Sequence, residues 1–587
     1  MRNHFKFSMR NTFIITNIRI PSTVPTTYYQ LNMAPIPGLL YVTMQPQESL
    51  PDSQWHDWYN NEHGPLRLRL PFITNGFRYR ATDISSSNPA SPSHPEWMAL
   101  YDVTDMAAMN TETYLRLRGP EVKTEREKET MAQIKVDRKL YDYISGREVD
   151  GYKKVEEVGY DEGNYVVAFT AEVNEELDEE YNKWMEEEHL PMLAKVPGWR
   201  RSRRFVTSSI LGGKEGKEYL NIHEYAPQNG VSGEAFKAAI STEWSKKIIA
   251  TALKTKKVRH YDLYYTFGAA PRDITNFSKS YSTTWRSIDG KTNTGPNTVA
   301  EGGAIESYIT TPDGVDLAYR LEGSSDPTAP LIILSNSILV THSIWTPFIQ
   351  AFLATPTGRT HRILRYNTRG RTSNPGSLPI TIDLLASDII HILDTLRVPK
   401  AACLIGVSLG GVTVLNTALK YPNRINAFIS CDTNASAPAS NPQAWDERIA
   451  LSAAEAATSS AGERIVGSEL AEITTRRWFV AENYEDAILR ERFADVKRQV
   501  EGNSFEGFQR GVKALYQYDI REEMKKPGVQ KGLFVVGGSD GVLPKTMKEM
   551  AGNYGDGVEC KIIEGAGHLP MVEKPEEFAD VVAKFLG

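Results

Sequence analysis

Cysteine is nearly absent: 587 residues contain three, Cys403, Cys431 and Cys560. That number and spacing exclude a disulfide framework and a cysteine-built metal site, and they suit a reducing, cytoplasmic setting. Long apolar runs are missing too. None approaches the roughly 20 residues that span a bilayer, so no membrane partner is expected. There is no excess of basic charge: 67 Lys and Arg against 73 Asp and Glu leave a formal net charge of −6. Phosphate binding wants a clustered basic surface, so nucleic acid is not an expected partner either. One shortage is local. No acidic residue occurs from Met1 to Gln47, while Arg2, Lys6, Arg10 and Arg19 lie among many Ser, Thr and Asn. Such a composition fits a mitochondrial targeting segment as well as an unstructured extension. Ordered pattern begins at Gly38, so residues 1–37 are set apart from the fold.

What is present is globular in character, with 41% hydrophobic and 24% charged residues. The length exceeds one compact core and predicts several domains. The first half contains a repeat. Trp58-Tyr-Asn-Asn-Glu62-His63-Gly-Pro65 recurs as Trp184-Met-Glu-Glu-Glu188-His189-Leu-Pro191. Each copy follows an apolar strand candidate (Leu39–Met44, Tyr165–Val173) and precedes a Gly-aromatic-Arg strand start, Gly76-Phe-Arg78 and Gly198-Trp-Arg200. A third strand, a helical stretch and a fourth strand follow in each. The order strand, helix, strand, strand, helix, strand is a ferredoxin-like split βαβ unit, here predicted twice, over 38–150 and 151–267.

On these motifs residues 38–267 resemble the dimeric α/β-barrel superfamily, especially its ethyl-tert-butyl-ether-degradation-type branch, whose helix carries a Trp…Glu-His…Pro pattern. In that superfamily two units pair sheet to sheet. The resemblance therefore implies that a tandem copy can close a barrel within one chain, which makes homo-oligomers possible but not required. Trp58 and Glu62, four apart, are expected on one helix face, as are Trp184 and Glu188. His63 and His189 adjoin prolines that are expected to end their helices. Glu62, His63, Glu188 and His189 either line a pocket for acid–base work or serve helix ends and barrel packing. Packing is the commoner fate of isolated histidines and is the reading carried forward. Each copy offers too few clustered ligands for a metal, and neither metal nor cofactor is expected. Residues 268–303 are rich in Gly, Ser, Thr, Asn and Pro without apolar periodicity, and read as a flexible or surface-draped connector.

From residue 304 strands and helices alternate, which predicts a mostly parallel α/β sheet. In Leu404-Ile-Gly406-Val-Ser408-Leu-Gly410-Gly411 a strand enters, Gly-x-Ser-x-Gly turns, and an apolar helix pattern leaves. That is the context of a nucleophile elbow, where glycines permit a strained turn that exposes the serine hydroxyl. An acid and a histidine follow in the order such a sheet requires. Asp540 follows strand Leu533–Val536, and His568 follows strand Cys560–Ile563. His568 would take the proton of Ser408 and Asp540 would fix its tautomer. An oxyanion hole is expected from the backbone N–H groups of Leu409 and Ile338. Residues 434–526, with Trp445, Trp478, Phe479 and Phe508, are predicted to form a helical lid.

Residues 305–587 resemble the α/β-hydrolase fold and, within it, 3-oxoadipate enol-lactonases. The shared features are Ser335-Asn336-Ser337, Ser343-Ile-Trp345, Asn367-Thr-Arg369-Gly370, the elbow, Gly567-His568, and in the cap Trp445-Asp-Glu-Arg448 and Arg477-Trp478-Phe479. The resemblance implies a serine hydrolase acting on a small lactone or ester, with Asn336, Ser337, Trp345, Arg369, Trp445, Arg448, Arg477 and Trp478 as candidates to touch substrate. It also favours Asp540 over Asp432, which follows the preceding strand, because Gly537-Gly-Ser-Asp matches the family's turn. Two departures stand out. Leu339 occupies a usual glycine position after the oxyanion residue, and the segment ending in Gly370-Arg371 is shortened. These imply a substrate other than 3-oxoadipate enol-lactone, if anything larger. Alternatives are C–C bond hydrolysis of a β-dicarbonyl compound on the same three residues, a binding protein on a hydrolase scaffold, and, by fold analogy with muconolactone isomerases, a tandem isomerase–lactonase using the first half.

Overall fold

The computed structural model describes residues 34–158, 162–212, 216–275, 285–296, 302–555 and 557–587. The extension over residues 1–33 lies outside them.

The first half is an eight-stranded closed antiparallel barrel. Its strands are β1 (Gly38–Pro46), β2 (Ile73–Ala81), β3 (Trp97–Val103), β4 (Ile134–Glu148), β5 (Tyr165–Val173), β6 (Trp199–Thr207), β7 (Glu218–Tyr225) and β8 (Leu253–Thr266). The order around the barrel is β1-β3-β2-β8-β5-β7-β6-β4, so each repeat contributes four adjacent strands. The two sets join at β2–β8 and β4–β6, leaving no free sheet edge. Alternation along each strand sorts side chains between two cores. In β1, Leu39 and Tyr41 join an apolar cluster with Phe77, Leu100, Phe205 and Ile222. Leu40, Val42 and Met44, on the other face, pack under Trp55, Trp58 and Tyr59 of the first helix.

That helix differs from the expectation of a proline-terminated end. It runs as α-helix over Asp52–Trp58, widens to a π-turn at Tyr59–His63, and continues through Pro65 over Gly64–Leu68. The second repeat does the same with a π-turn at Met185–His189 before Pro191. A proline has no N–H for the usual i→i−4 bond, and the wider turn accommodates that loss without breaking the helix. The widening also changes which side chains meet. Trp58 faces His63, ring centroids 4.6 Å apart, and Trp184 faces His189 at 4.4 Å, in place of the expected Trp–Glu pairing on one face.

The second half is a ten-stranded sheet. Its strands are β9 (Trp285–Arg286), β10 (Asn293–Pro296), β11 (Gly303–Thr310), β12 (Asp316–Gly323), β13 (Leu331–Ser335), β14 (Arg362–Tyr366), β15 (Cys403–Val407), β16 (Ala427–Cys431), β17 (Lys531–Gly537) and β18 (Glu559–Ile563). The order is β18-β17-β16-β15-β13-β14-β12-β11-β10-β9, parallel from β18 to β14 and antiparallel beyond. The fully buried strands Cys403–Val407 and Ala427–Cys431 carry apolar side chains on both faces, as helix-covered parallel strands must. Helices over Asn441–Glu455, Ser468–Trp478, Ala487–Glu501 and Phe505–Gly511 stand between β16 and β17, in the stretch read as a lid.

The connector is a correction. Over its described parts, 268–303 is built into the molecule. Ala270 and Ile274 belong to the core of the second half, and β9 and β10 extend its sheet. Buried Arg272 donates to the carbonyl of Leu396 at 2.6 Å, and Tyr319 Oη donates to that of Pro271 at 2.5 Å. From the other side, Asn60 and Asn61 of the π-turn donate to Asp273 at 2.6 and 2.7 Å. The lack of apolar periodicity reflects a segment held by backbone carbonyls and a few buried side chains.

Candidate active site

Strand β15 ends at Ser408, and a helix starts at Leu409. Ser408 has φ 57° and ψ −117°, a conformation that costs a non-glycine residue on the order of 1–3 kcal/mol. Its N–H donates to the carbonyl of Cys431 at 2.9 Å, and its carbonyl accepts from Val412 N–H at 3.1 Å. Two glycines are sterically required. A Cβ at Gly406 would strike the carbonyl of Gly410, and one at Gly410 the carbonyl of Ser335. Leu409, as the first helical residue, has an N–H with no intrahelical acceptor.

His568 follows β18. Its N–H donates to the carbonyl of Trp478, 2.7 Å away, and the Trp478 indole stacks on its ring at 5.6 Å and 27°. Its Nδ1 lies 2.7 Å from Oδ2 of Asp540, which follows β17. Ser408, Asp540 and His568 line one pocket of about 240 Å³, together with Ile338, Trp445, Arg477, Trp478 and Asp432. The lid supplies Trp445, Arg477 and Trp478, so it both roofs the pocket and holds the histidine. Burial and the neighbouring charge of Arg448 lower Arg477 to about 10, and it remains a cation at neutral pH.

Of the other sequence candidates, several are corrected by what they touch. Arg369 is buried and clamped by Asp313 at 2.7 Å and Asp388 at 2.6 Å, so its charge is spent inside the fold. Asn336 is buried, donating to the carbonyl of Tyr366 at 2.8 Å and accepting from Trp345 Nε1 at 2.8 Å. That pair anchors the loop carrying Ile338, and Trp345 itself is in the core. Ser337 is buried and lies off the pocket wall. Arg448 stacks over Trp445 at 4.7 Å and donates to the carbonyl of Ala444 at 2.9 Å, behind the wall.

Three further residues matter, of which the sequence singled out Leu339 as a departure and left Arg371 and Glu573 without a role. Leu339 adopts φ 70° while buried, the left-handed backbone that explains a glycine preference there. Arg371 supports it: its guanidinium donates to the Leu339 carbonyl at 3.1 Å and to Asn503 Oδ1 of the lid. The only hint was the shortened segment ending in Arg371. Glu573 ties the histidine loop to the lid, accepting from Gly567 N–H at 2.5 Å and from Val480 N–H at 2.9 Å.

In the barrel the four Glu and His candidates do not converge. Glu62 accepts from Thr124 Oγ1 at 2.5 Å, and Glu188 from Thr242 Oγ1 at 2.6 Å; each threonine caps a later helix. Burial outweighs Arg126 and Thr124 and pushes the Glu62 carboxyl up to about 8. His63 Nδ1 lies 3.0 Å from Glu127 Oε1, whereas His189 Nδ1 meets the carbonyl of Ala239 at 3.2 Å.

A parallel sheet core with a serine at a strained strand-to-helix turn, and an Asp–His pair at the ends of the last two strands, defines a class of hydrolytic enzymes. Residues 333–581 match the alpha/beta hydrolase family, and the C-terminal half of this chain is an α/β-hydrolase, related to enol-lactonases. It is 27% identical over 285 residues to 3-oxoadipate enol-lactonase 1 of Acinetobacter baylyi, covering 47% of this chain and 96% of the relative. It is 27% identical over 273 residues to 3-oxoadipate enol-lactonase 2 of the same organism, covering 46% and 93%. Among solved structures, the enol-lactonase from Burkholderia xenovorans is 27% identical and covers 48% of this chain and 99% of its own, with a TM-score of 0.41.

Proposed function

We propose that the second half hydrolyses a small lactone or ester bearing a carboxylate, through an acyl-enzyme on Ser408. The observation that carries this reading is the opening of strained Ser408 and the Asp540–His568 pair onto one pocket that also holds a cationic arginine, Arg477. His568 Nε2 accepts the proton as Ser408 Oγ attacks the carbonyl carbon. Asp540 keeps Nδ1 protonated and stabilises the imidazolium. The N–H groups of Leu409 and Ile338 meet the developing oxyanion. Collapse of the tetrahedral intermediate breaks the C–O bond, and His568 returns its proton to the leaving oxygen. Water then attacks the acyl group with His568 again as base, releasing the hydroxy acid or enol tautomer. Pockets for drug-sized ligands measure roughly 300–1,000 Å³, so a pocket of about 240 Å³ favours a compact substrate and runs against the larger one that the bulkier loop suggested. For the first half, the order of each four-strand set supports reading the barrel as two ferredoxin-like units fused in tandem.

The test is a fluorophosphonate label located by peptide mass, with turnover on a panel of carboxylated and neutral lactones and esters. Ser408 should carry the label, and Ser408→Ala should lower turnover by several orders of magnitude. Turnover within tenfold of the parent overturns the assignment.

A further inference from the structure

The first repeat encloses a cavity of its own, about 410 Å³, between the outer face of β1, β3 and β4 and the helical segments at 52–68 and 112–131. Its walls are apolar and aromatic, with Trp55, Trp58, Tyr59, Tyr101 and Tyr114 among them. Its charge is of one sign. Arg67, Arg118, Lys123 and Arg138 line it, and no carboxylate does among the described residues. Arg67 donates to the carbonyl of His63 at 2.6 Å and Arg138 to Tyr114 Oη at 2.9 Å. The side chains of Arg118 and Lys123 make no hydrogen bond or ion pair among the described residues. Glu127, behind His63, attracts Arg67 and Lys123 from outside the lining, and four cations facing an apolar wall still leave the cavity itself attractive to an anion.

The chain contains its own control. The second repeat builds the same π-turn, the same Trp–His contact and the same threonine-capped helix. Thr124 accepts from the N–H of Glu127, whereas Thr242 accepts from that of Ser245. The position that gives the first repeat a buried carboxylate on His63 thus holds a serine in the second, and His189 bonds a backbone carbonyl instead. The turn and the cap therefore form without the His63–Glu127 pair, so fold alone does not account for it.

We propose that this cavity binds a small aromatic carboxylate, seated among the tryptophan and tyrosine rings with its charge toward Arg118 and Lys123, and that His63, oriented through Nδ1 by Glu127, presents Nε2 to it. Burial, with the charge of Arg67, lowers His63 to about 4, so its ring is neutral at pH 7 and Nε2 is an acceptor.

The test uses the full chain with 2-naphthoate as probe, and 2-naphthamide and 2-naphthylmethylammonium as neutral and cationic counterparts, titrated calorimetrically. Ser408 is first blocked with a fluorophosphonate so that the hydrolase pocket is closed. Naphthoate should bind at least tenfold more tightly than either counterpart. The double variant Arg118→Gln, Lys123→Gln should weaken it at least tenfold, with far-ultraviolet circular dichroism and the unblocked enzyme's ester turnover unchanged. His63→Asn should weaken binding of hydroxynaphthoates, which can donate to Nε2, more than that of naphthoate. Absent naphthoate binding at millimolar concentration, equal affinity for the three probes, or an unaffected double variant overturns the proposal. Binding seen only before Ser408 is blocked assigns it to the hydrolase pocket and also overturns it.

Discussion

Asp432 lies beside Asp540: an oxygen of each and a ring nitrogen of His568 fall within 4.8 Å of one another. Asp432 is fully buried in the left-handed conformation, φ 44°, and Oδ1 accepts from Gly537 N–H at 2.9 Å. Burial and the neighbouring Asp540 hold its carboxyl well above the usual carboxylate range, which favours its neutral form. Two carboxyl groups this close divide the work: one neutral and able to donate, the other available to His568.

The first prediction follows from that division. Asp540→Asn should cost on the order of 10⁴ in kcat, because an amide leaves His568 in the wrong tautomer. Asp432→Asn replaces one neutral donor–acceptor by another and should change kcat by less than about tenfold. Asp432→Ala strands the Gly537 N–H and should destabilise the fold by about 1–3 kcal/mol. A larger loss of kcat at Asp432→Asn than at Asp540→Asn would show that the acid sits on β16 instead.

Arg477 allows a test of substrate charge. A charge-assisted hydrogen bond to a carboxylate contributes about 1.5–3 kcal/mol, a factor of roughly 10 to 150 in binding. Arg477→Gln should raise KM by that factor for carboxylated substrates and leave it within twofold or so for neutral esters. Equal effects on both would remove the carboxylate from the proposed substrate.

How much of this was legible depends on how local the cause is. The elbow is readable because Gly406 and Gly410 are demanded by clashes within a few residues of Ser408. The internal repeat is readable because each copy must bury the same helix face on the same strands. Arg369 and Asn336 look like substrate ligands by residue type, and only tertiary placement reveals that Asp388 and Tyr366 already occupy them. The π-turns were not legible either. Pro65 and Pro191 announce a break, and whether the chain widens or ends there is decided by the packing of Trp58 and Trp184.

Support of the oxyanion loop is a further test. Arg371 holds the strained Leu339 carbonyl and the lid's Asn503, next to Ile338 on the pocket wall. Arg371→Met keeps much of the side-chain volume and removes the donors. It should lower kcat by about ten- to a hundredfold with KM nearly unchanged, since a displaced oxyanion donor is felt in the transition state. A rise in KM alone would instead mark Arg371 as a ligand of the ground state.

The barrel should be acid-sensitive. Burial lowers His63 and His189 to about 4 and His223 to about 3, so all three are neutral in the folded state at pH 5. Unfolded histidines titrate near 6.5, so below that pH the unfolded chain binds protons that the folded chain does not, and stability falls. The slope is up to about 1.4 kcal/mol per pH unit for each histidine until the folded values are reached. Glu62 acts with the opposite sign. Raised to about 8, it is protonated in the folded state where the unfolded carboxyl is charged, so its contribution favours folding at low pH and is lost as pH rises from about 4.5 to 8. Set against Glu62, these histidines together with His56 and His260, which burial also lowers, should leave Tm falling steadily from about pH 6.5 to 4.5, and His189→Gln with His223→Gln should flatten that fall. A pH-independent Tm over this window would contradict the neutral assignment.

The last prediction concerns the joint between the halves. Arg397 Nε donates to the carbonyl of Phe267 at 2.8 Å, answering the bond from Arg272 to the Leu396 carbonyl at 2.6 Å, so a half-buried and a buried guanidinium group cross-link the chain just after β8 to the end of the helix over Ile382–Thr395. Between them Gly268 lies so close to the carbonyl of Thr395 that an added Cβ would overlap it. Because that neighbour is backbone rather than a flexible side chain, Gly268→Ala should force the halves apart locally and cost about 1–3 kcal/mol. It should also make the chain around residue 270 newly sensitive to limited proteolysis. A chain shortened to begin at Ala304 loses more: β9, β10, Ala270 and Ile274 all belong to the second half's sheet or core. Its Tm should fall well below that of the full chain. One that begins at Gly268 restores those elements and should recover part of the difference. Equal Tm for the two shortened chains would mean that the segment packs against the hydrolase without stabilising it.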